Sequence, residues 1–141
     1  MTESIARILV YSDERAVREA VRAALGKSIA ADLPEVEVVE AATQPAALQF
    51  MDSGAIDLAI LDGEATPAGG MGLAHQLKDD YPVCPPVLLL VARVADAWLA
   101  TWSQADATLT HPVDPVLLPL KAAELLRAWF AETPETAEAS A

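Results

Sequence analysis

The sequence predicts one α/β domain in which a five-stranded parallel sheet carries helices on both faces. The first observation is that short apolar runs alternate along the chain with longer stretches whose apolar residues recur at helical spacing. The second is that no repeat or linker interrupts this alternation, and 141 residues suffice for a single domain. Alternating strands and helices with short connections are typical of a doubly wound parallel sheet.

Five apolar runs are predicted to be strands because each is short and bounded by turn residues. The run Val-Leu-Leu-Leu-Val is the most apolar of them, as expected for a strand that is buried on both faces. The predicted strands are residues 8–11, 36–39, 58–61, 87–91 and 107–110.

Five helices are predicted between and after these strands. Val17, Val21 and Leu25 share one face of the first helix, and Gly26 is expected to end it. A glycine-rich loop is expected over residues 63–72, before the third helix. The other residues expected on helix faces are Ala46, Ala47 and Phe50 in the second helix, Leu73 and Leu77 in the third, Val94, Trp98 and Trp102 in the fourth, and Leu118, Leu125 and Trp129 in the fifth.

The composition excludes several classes of protein. Hydrophobic residues make up 53% of the chain, which is too apolar for a disordered protein. The 21 acidic residues outnumber the 9 basic ones, and the net charge of −12 argues against binding to nucleic acid or to a membrane surface. No apolar run approaches the roughly 20 residues of a membrane span. Because the single Cys84 cannot build a disulfide framework, we expect a cytoplasmic location.

The domain is expected to cover residues 1–131. Residues 132–141 are small and acidic and include a proline, a composition that predicts a flexible tail. Most other acidic residues lie on predicted helix faces and loops, where they keep a small protein soluble.

The candidate site lies at the carboxyl ends of the strands, where ligands bind to open parallel sheets. Asp13 follows the first strand, Asp62 ends the third, and His111 follows the fifth. Two neighbouring carboxylates require a cation or a shared proton, and carboxylate oxygens are ligands that suit Mg²⁺. A weak Mg²⁺ site at Asp13 and Asp62 is therefore a hypothesis. Asp13 precedes a helix directly, so a helix-capping role is an equal alternative for it.

Four segments occur in the order and at the spacing of a known family: RILVYSDERAVREAV, LAILDGEATP, VLLLVAR and ADATLTHPVDP. They resemble the receiver domain of bacterial two-component response regulators, and the likeness covers about residues 5–131. The resemblance implies a flavodoxin-like (βα)5 fold with strand order 2-1-3-4-5. It also implies that Asp62 is the phosphoacceptor, that Asp13 binds Mg²⁺, and that Glu64 offers its backbone carbonyl to the metal.

The chain departs from the family at several site positions. Ser12 stands in place of the first acidic residue of the usual pair, and Val91 stands where a Thr or Ser normally bonds the phosphoryl group. His111 replaces the usual Lys, and Thr108 stands where an aromatic switch residue is often found. A valine cannot donate a hydrogen bond, and an imidazole is not permanently charged.

Three functional hypotheses follow. The favoured one is an atypical receiver or pseudo-receiver that acts through protein contacts, with phosphate-dependent switching impaired or absent. The close alternative is a conventional Mg²⁺-dependent phosphoacceptor at Asp62. The remote one is a phosphatase, because residues 62–66 superficially resemble the signature of haloacid-dehalogenase-like enzymes. In those enzymes the signature normally lies at the start of the chain. Here it begins at residue 62, and the residues that follow are too few for the remaining motifs, so we expect no enzyme.

The expected partners are other proteins, namely a histidine kinase or a downstream protein. In receivers the fourth helix, fifth strand and fifth helix usually form the output surface, and the resemblance implies the same face here. A homodimer through that face is a further hypothesis. Trp98 and Trp102 on the predicted fourth helix are expected to pack, or to form a protein-binding patch if they are exposed.

Overall fold

Five parallel strands form one sheet in the computed structural model, which describes residues 5–65, 69–92 and 103–132. The strand order is β2-β1-β3-β4-β5, so the predicted doubly wound fold and strand order are confirmed. Two of the predicted strands, β4 and β5, have the predicted bounds. The strands are β1 (Ile5–Tyr11), β2 (Glu35–Ala41), β3 (Leu58–Asp62), β4 (Val87–Val91) and β5 (Ala107–Thr110).

Four helices lie within the described residues: α1 (Arg15–Leu25), α2 (Gln44–Asp52), α3 (Gly70–Asp80) and α4 (Leu117–Glu132). Gly26 follows α1 with φ 61°, as the predicted helix stop requires. The predicted helix with Val94, Trp98 and Trp102 lies outside the described residues. Because α4 reaches Glu132 and residues 133–141 are not described, the flexible tail stays a prediction.

The sheet separates two apolar layers because successive side chains of a strand point to opposite faces. Strands β3 and β4 are buried along their whole length, as expected for central parallel strands. One layer packs against α2 and α3, and its buried strand residues include Leu9, Tyr11, Leu61, Leu89 and Val91. The other packs against α1 and α4, and its buried strand residues include Ile8, Val10, Ile60, Leu88 and Leu90.

The expectation of a loop up to residue 72 is wrong, because α3 already begins at Gly70. A Cβ atom at Gly70 would lie 2.6 Å from the carbonyl oxygen of Asp62. The first turn of α3 therefore lies directly against the end of β3, and only a glycine permits this approach. Glycine is usually a poor helix former, so the sequence pattern favoured a loop at this position.

The buried face of α4 also differs from the prediction. Leu118 is buried as expected, but Leu125 and Trp129 lie at the margin of the core. The Trp129 indole nitrogen donates to Asp57 Oδ1 over 3.0 Å, so its polar edge faces a carboxylate. The residues of α4 that are buried are Leu118, Ala122, Ala123 and Leu126. Small alanines let the helix approach the sheet closely, a preference that apolar periodicity alone does not reveal.

Candidate functional site

The carboxyl ends of four successive strands of the sheet, β1, β3, β4 and β5, bring the candidate residues together. β1 pairs with β3 up to Tyr11 and Leu61, so Ser12 follows one strand beside the Asp62 that ends the other. Strand β4 pairs with β5 at its last residue, and His111 follows β5 directly. Ser12 is fully buried, and Asp62 is only 2% exposed.

The Asp62 carboxylate accepts hydrogen bonds from three groups of its own chain. The Ser12 hydroxyl donates to Oδ2 over 2.7 Å. The Glu64 backbone N–H donates to Oδ1 over 2.9 Å, and His111 Nε2 lies 2.9 Å from the same oxygen. An ionised carboxylate only accepts, so Nε2 of His111 carries the proton in this contact. Hydrogen bonds from protein groups thus take the place of water around the buried carboxylate.

Ser12 connects the site to the start of α1. Its hydroxyl accepts the Glu14 backbone N–H over 3.0 Å while it donates to Asp62. The N-cap position of α1 is occupied by Glu14, so the alternative in which Asp13 caps this helix is wrong. The side chain that replaces the usual acid therefore satisfies two partners at once.

His111 is placed by the end of β5. Its backbone N–H donates to the Val91 carbonyl over 2.8 Å, and the His111–Pro112 peptide bond is cis. The side chain is 22% exposed, so the imidazole reaches from the surface to the buried carboxylate. Val91 is buried within the apolar layer beside α2 and α3 and has no donor to offer Asp62.

Asp13 and Glu64 have exposed side chains. Burial raises the pKa of the Tyr11 phenol, and the negative charges of Asp13 and Asp62 raise it further. Both carboxylates therefore act on the same phenol, at the edge where the sequence predicted that they meet. The Glu64 backbone N–H contacts Asp62, whereas its side chain points to solvent.

Both oxygens of the Asp62 carboxylate are already engaged within the chain. Oδ1 of Asp62 already accepts two hydrogen bonds, and Oδ2 accepts the Ser12 hydroxyl. A cation bound here would have to share Oδ2 with that hydroxyl or displace it. Among residues 5–65, 69–92 and 103–132, no three His, Cys, Asp or Glu side chains are grouped as metal ligands.

Sequence reasoning missed the two glycines that shape the backbone around Asp62. A Cβ atom on Gly63 would lie 2.8 Å from the Leu90 carbonyl, and Gly63 N–H donates to that oxygen over 2.7 Å. A Cβ atom on Gly70 would likewise collide with the backbone of Asp62. A glycine directly after a buried strand, and another at the start of the next helix, were the available signals.

Comparison with known proteins decides the family. No family model matches the chain. Two uncharacterized response regulatory proteins from strains of Mycobacterium tuberculosis are each 57% identical to it over 122 residues, which cover 86% of this chain and 92% of theirs. The chain belongs to the response regulators. A heme response regulator of Staphylococcus aureus is 33% identical over 85 residues, or 57% of this chain and 37% of that regulator.

Solved receiver domains share the fold of this response regulator. A CheY-like receiver domain from Methanospirillum hungatei superposes with a TM-score of 0.74 at 24% identity and covers 92% of this chain and 99% of its own. The receiver domain of a Francisella response regulator superposes with a TM-score of 0.74 at 18% identity. The match covers 87% of this chain and 98% of the Francisella chain. Together with the family, this fold makes the chain a receiver domain of two-component signalling. Within its described residues, no helix is long and apolar enough to cross a membrane.

Proposed function

We propose that this receiver is a protein-binding module in which phosphate-dependent switching is impaired or absent. The observation that carries the proposal is the Asp62 carboxylate, which is buried and accepts hydrogen bonds from Ser12, Glu64 and His111. An oxygen that bonds to phosphorus loses its negative charge, so attack weakens the hydrogen bonds which that oxygen accepts. Each hydrogen bond to a charged group contributes about 1.5–3 kcal/mol, so the cost raises the barrier to attack.

The readout of a phosphate is expected to be weak as well. A ligand shifts a conformational equilibrium only as far as its affinities for the two states differ. Val91 has no hydrogen-bond donor, and the contact of His111 with Asp62 is already made in the unphosphorylated chain. Of the two side chains that would stabilise a phosphorylated conformation, Val91 therefore cannot form a hydrogen bond and His111 is already bonded to Asp62.

The output of the protein is proposed to pass through contacts with other proteins, in the cytoplasm. The candidate surface lies at the end of β5 and the start of α4, where Val116, Leu117 and Leu120 are exposed. Leu117 lines a cavity of about 350 Å³ together with Pro112 and Val113. Exposed apolar groups beside a cavity are typical of interaction sites. A histidine kinase, a downstream protein or a second copy of the chain would bind there.

Intact-mass spectrometry after incubation with acetyl phosphate and Mg²⁺ tests the proposal. The wild type is expected to gain little or no phosphoryl adduct. The triple variant Ser12→Asp, Val91→Thr, His111→Lys restores the acidic residue, the hydroxyl and the permanent cation, and is expected to be labelled. Adding Asp62→Asn to the triple variant should abolish the adduct. Rapid, stoichiometric labelling of the wild type that Asp62→Asn removes would overturn the proposal.

The alternative function is a conventional Mg²⁺-dependent phosphoacceptor. It is supported by the pairing of β1 with β3 through Tyr11 and Leu61, which places Asp13 and Asp62 at the same edge of the sheet. Asp13, Asp62 and the Glu64 carbonyl would then hold the cation. The mass measurement decides between the two functions, and repeating it without Mg²⁺ shows whether any adduct depends on the metal. Turnover of a generic phosphate ester would instead favour the phosphatase.

A further inference from the structure

Arg18 connects the candidate site to the edge strand of the sheet. Its side chain is only 15% exposed, and Nη1 donates to the Ser12 carbonyl over 2.7 Å. Its Nε donates to Glu40 Oε1 over 3.0 Å, and Arg22 donates to the other oxygen of Glu40 over 2.8 Å. The bond from Arg22, and then that from Arg18, hold the pKa of Glu40 below its usual range. Glu40 is therefore ionised at neutral pH.

The backbone of Ser12 is fixed on both sides by these contacts. Its N–H donates to the carbonyl of Ala41 over 3.2 Å, and its carbonyl accepts the Arg18 guanidinium. Ala41 and Glu40 are consecutive residues of β2, so the same strand end holds Ser12 directly and through Arg18. The hydroxyl that donates to Asp62 therefore belongs to a residue whose backbone N–H and carbonyl are both hydrogen-bonded.

We propose that Arg18 is a positioning residue that holds Ser12 in the orientation in which its hydroxyl donates to Asp62. Hydrogen bonds that involve a charged donor are shorter and stronger than neutral ones, which suits a group that must fix a backbone carbonyl. This inference deepens the proposed function, because it concerns the same carboxylate. It makes β2 part of the device that keeps Asp62 engaged.

Arg15, on the same helix, provides a matched control. It is an arginine in an ion pair, with Glu19 at 2.9 Å, but its side chain is 82% exposed. Its ion-pair partner is a solvent-exposed residue of the same helix. Exposed pairs of this kind contribute little to stability. Arg15→Ala therefore removes the same chemical group without touching the proposed positioning contact.

Nuclear magnetic resonance of isotope-labelled protein tests the proposal at two reporters: the carboxyl carbon of Asp62 and the hydrogen-exchange rate of the Glu14 amide. Ser12→Ala is expected to shift the carbon and to accelerate exchange about tenfold, because both groups lose the hydroxyl. Arg18→Ala should shift the carbon in the same direction and accelerate exchange several-fold, and Arg18→Lys should restore most of both values. Arg15→Ala should change neither.

The double variant Arg18→Ala, Ser12→Ala distinguishes positioning from general stabilisation. If Arg18 acts through Ser12, the double variant shifts the Asp62 carbon no further than Ser12→Ala does. Additive shifts, or a lowered melting temperature with an unchanged Asp62 carbon, would overturn the proposal. Should Arg18→Ala fail to fold, Glu40→Gln weakens the same cluster and is read in the same way. Phosphorylation of the wild type would contradict the proposed function alone and leave this result standing.

Discussion

Single side chains decide what the Asp62 carboxylate can do. Ser12 stands where an acid is expected, and its hydroxyl donates to the carboxylate that a second acid would repel. His111 donates to the other oxygen and so repeats, with an imidazole, the contact that a lysine would make. These two replacements turn a site that resembles a cation site into one that is satisfied by its own chain.

Gly70 is predicted to be required for the stability of the fold. Gly70→Ala places a methyl group 2.6 Å from the Asp62 carbonyl oxygen and should destabilise the fold by about 1–3 kcal/mol. Gly72→Ala, two residues further along α3, meets no atom within 4 Å and should stabilise the helix by about 0.5–1 kcal/mol. Urea unfolding of both variants checks the prediction. Equal effects of the two substitutions would contradict the proposed close approach.

The identities of the candidate residues were accessible from the sequence, but their contacts were not. Asp62 ends one recognisable strand and His111 follows another, so their position at one edge of the sheet could be predicted. The bond from Ser12 to Asp62 depends on side-chain rotamers and on the packing of α1, which no spacing pattern encodes. The positions of Gly63 and Gly70 against backbone carbonyls were hidden for the same reason.

At the scale of elements, the helices are held to the sheet by narrow apolar faces and a few polar contacts. The buried residues of α4 recur every four residues, from Leu118 through Ala122 to Leu126. Apolar spacing also allowed a face through Leu125 and Trp129, because apolar residues occur on more than one side of this helix. The starting point of α3 was mispredicted because the helix begins at a glycine.

The packing of α4 predicts a difference between two leucines. Leu126 is fully buried and Leu120 is 60% exposed, although both lie on the same helix. Leu126→Ala should reduce the free energy of unfolding by about 2–5 kcal/mol, because it leaves a cavity in the layer beside α1. Leu120→Ala should change it by no more than about 0.5 kcal/mol. Chemical denaturation measures both, and similar losses would place the helix face elsewhere.

A contact between the ends of α2 and α3 predicts a dependence on alkaline pH. Burial, followed by the hydrogen bond to Asp52, raises the pKa of Tyr81 to about 12 from its ordinary value of 10.0. Because the pKa is higher in the folded state, the contact stabilises the protein fully below pH 10.0 and stops doing so as the pH rises through about 12.

Ultraviolet titration of the phenolate checks this directly. The difference between the wild type and Tyr81→Phe should titrate with a midpoint near 12. The melting temperature of the variant should fall less steeply above pH 10.0 than that of the wild type, while Tyr11 still contributes in both. A difference titration centred at the ordinary value would show that neither the burial of the phenol nor its bond to Asp52 persists in solution.

The whole molecule combines a fold that the sequence predicts well with a surface that is strongly acidic. The net charge is −12, and several basic residues are engaged in ion pairs between distant segments: Arg7 with Glu37, Arg18 and Arg22 with Glu40, Lys78 with Asp106, and Arg127 with Asp32. The remaining acidic excess lies outside these pairs. Apolar and basic groups on a partner would suit such a surface.

The strand order and the family could be predicted because four segments resemble those of receiver domains and occur in the same order. Such agreement rarely arises by chance. The state of the site could not, because it depends on how one carboxylate is solvated within the finished fold. The effect of a phosphate on β5 and α4 depends on the hydrogen bonds that Asp62 accepts, so it too could not be predicted from the sequence.

The most direct test is a comparison of backbone amide spectra before and after addition of acetyl phosphate and Mg²⁺. The wild type is expected to show no shifts in β5 or α4, whereas the triple variant Ser12→Asp, Val91→Thr, His111→Lys should show shifts that reach both elements. If the amides of β5 and α4 in the wild type shift, and Asp62→Asn abolishes those shifts, phosphate switches this receiver and the central claim is wrong.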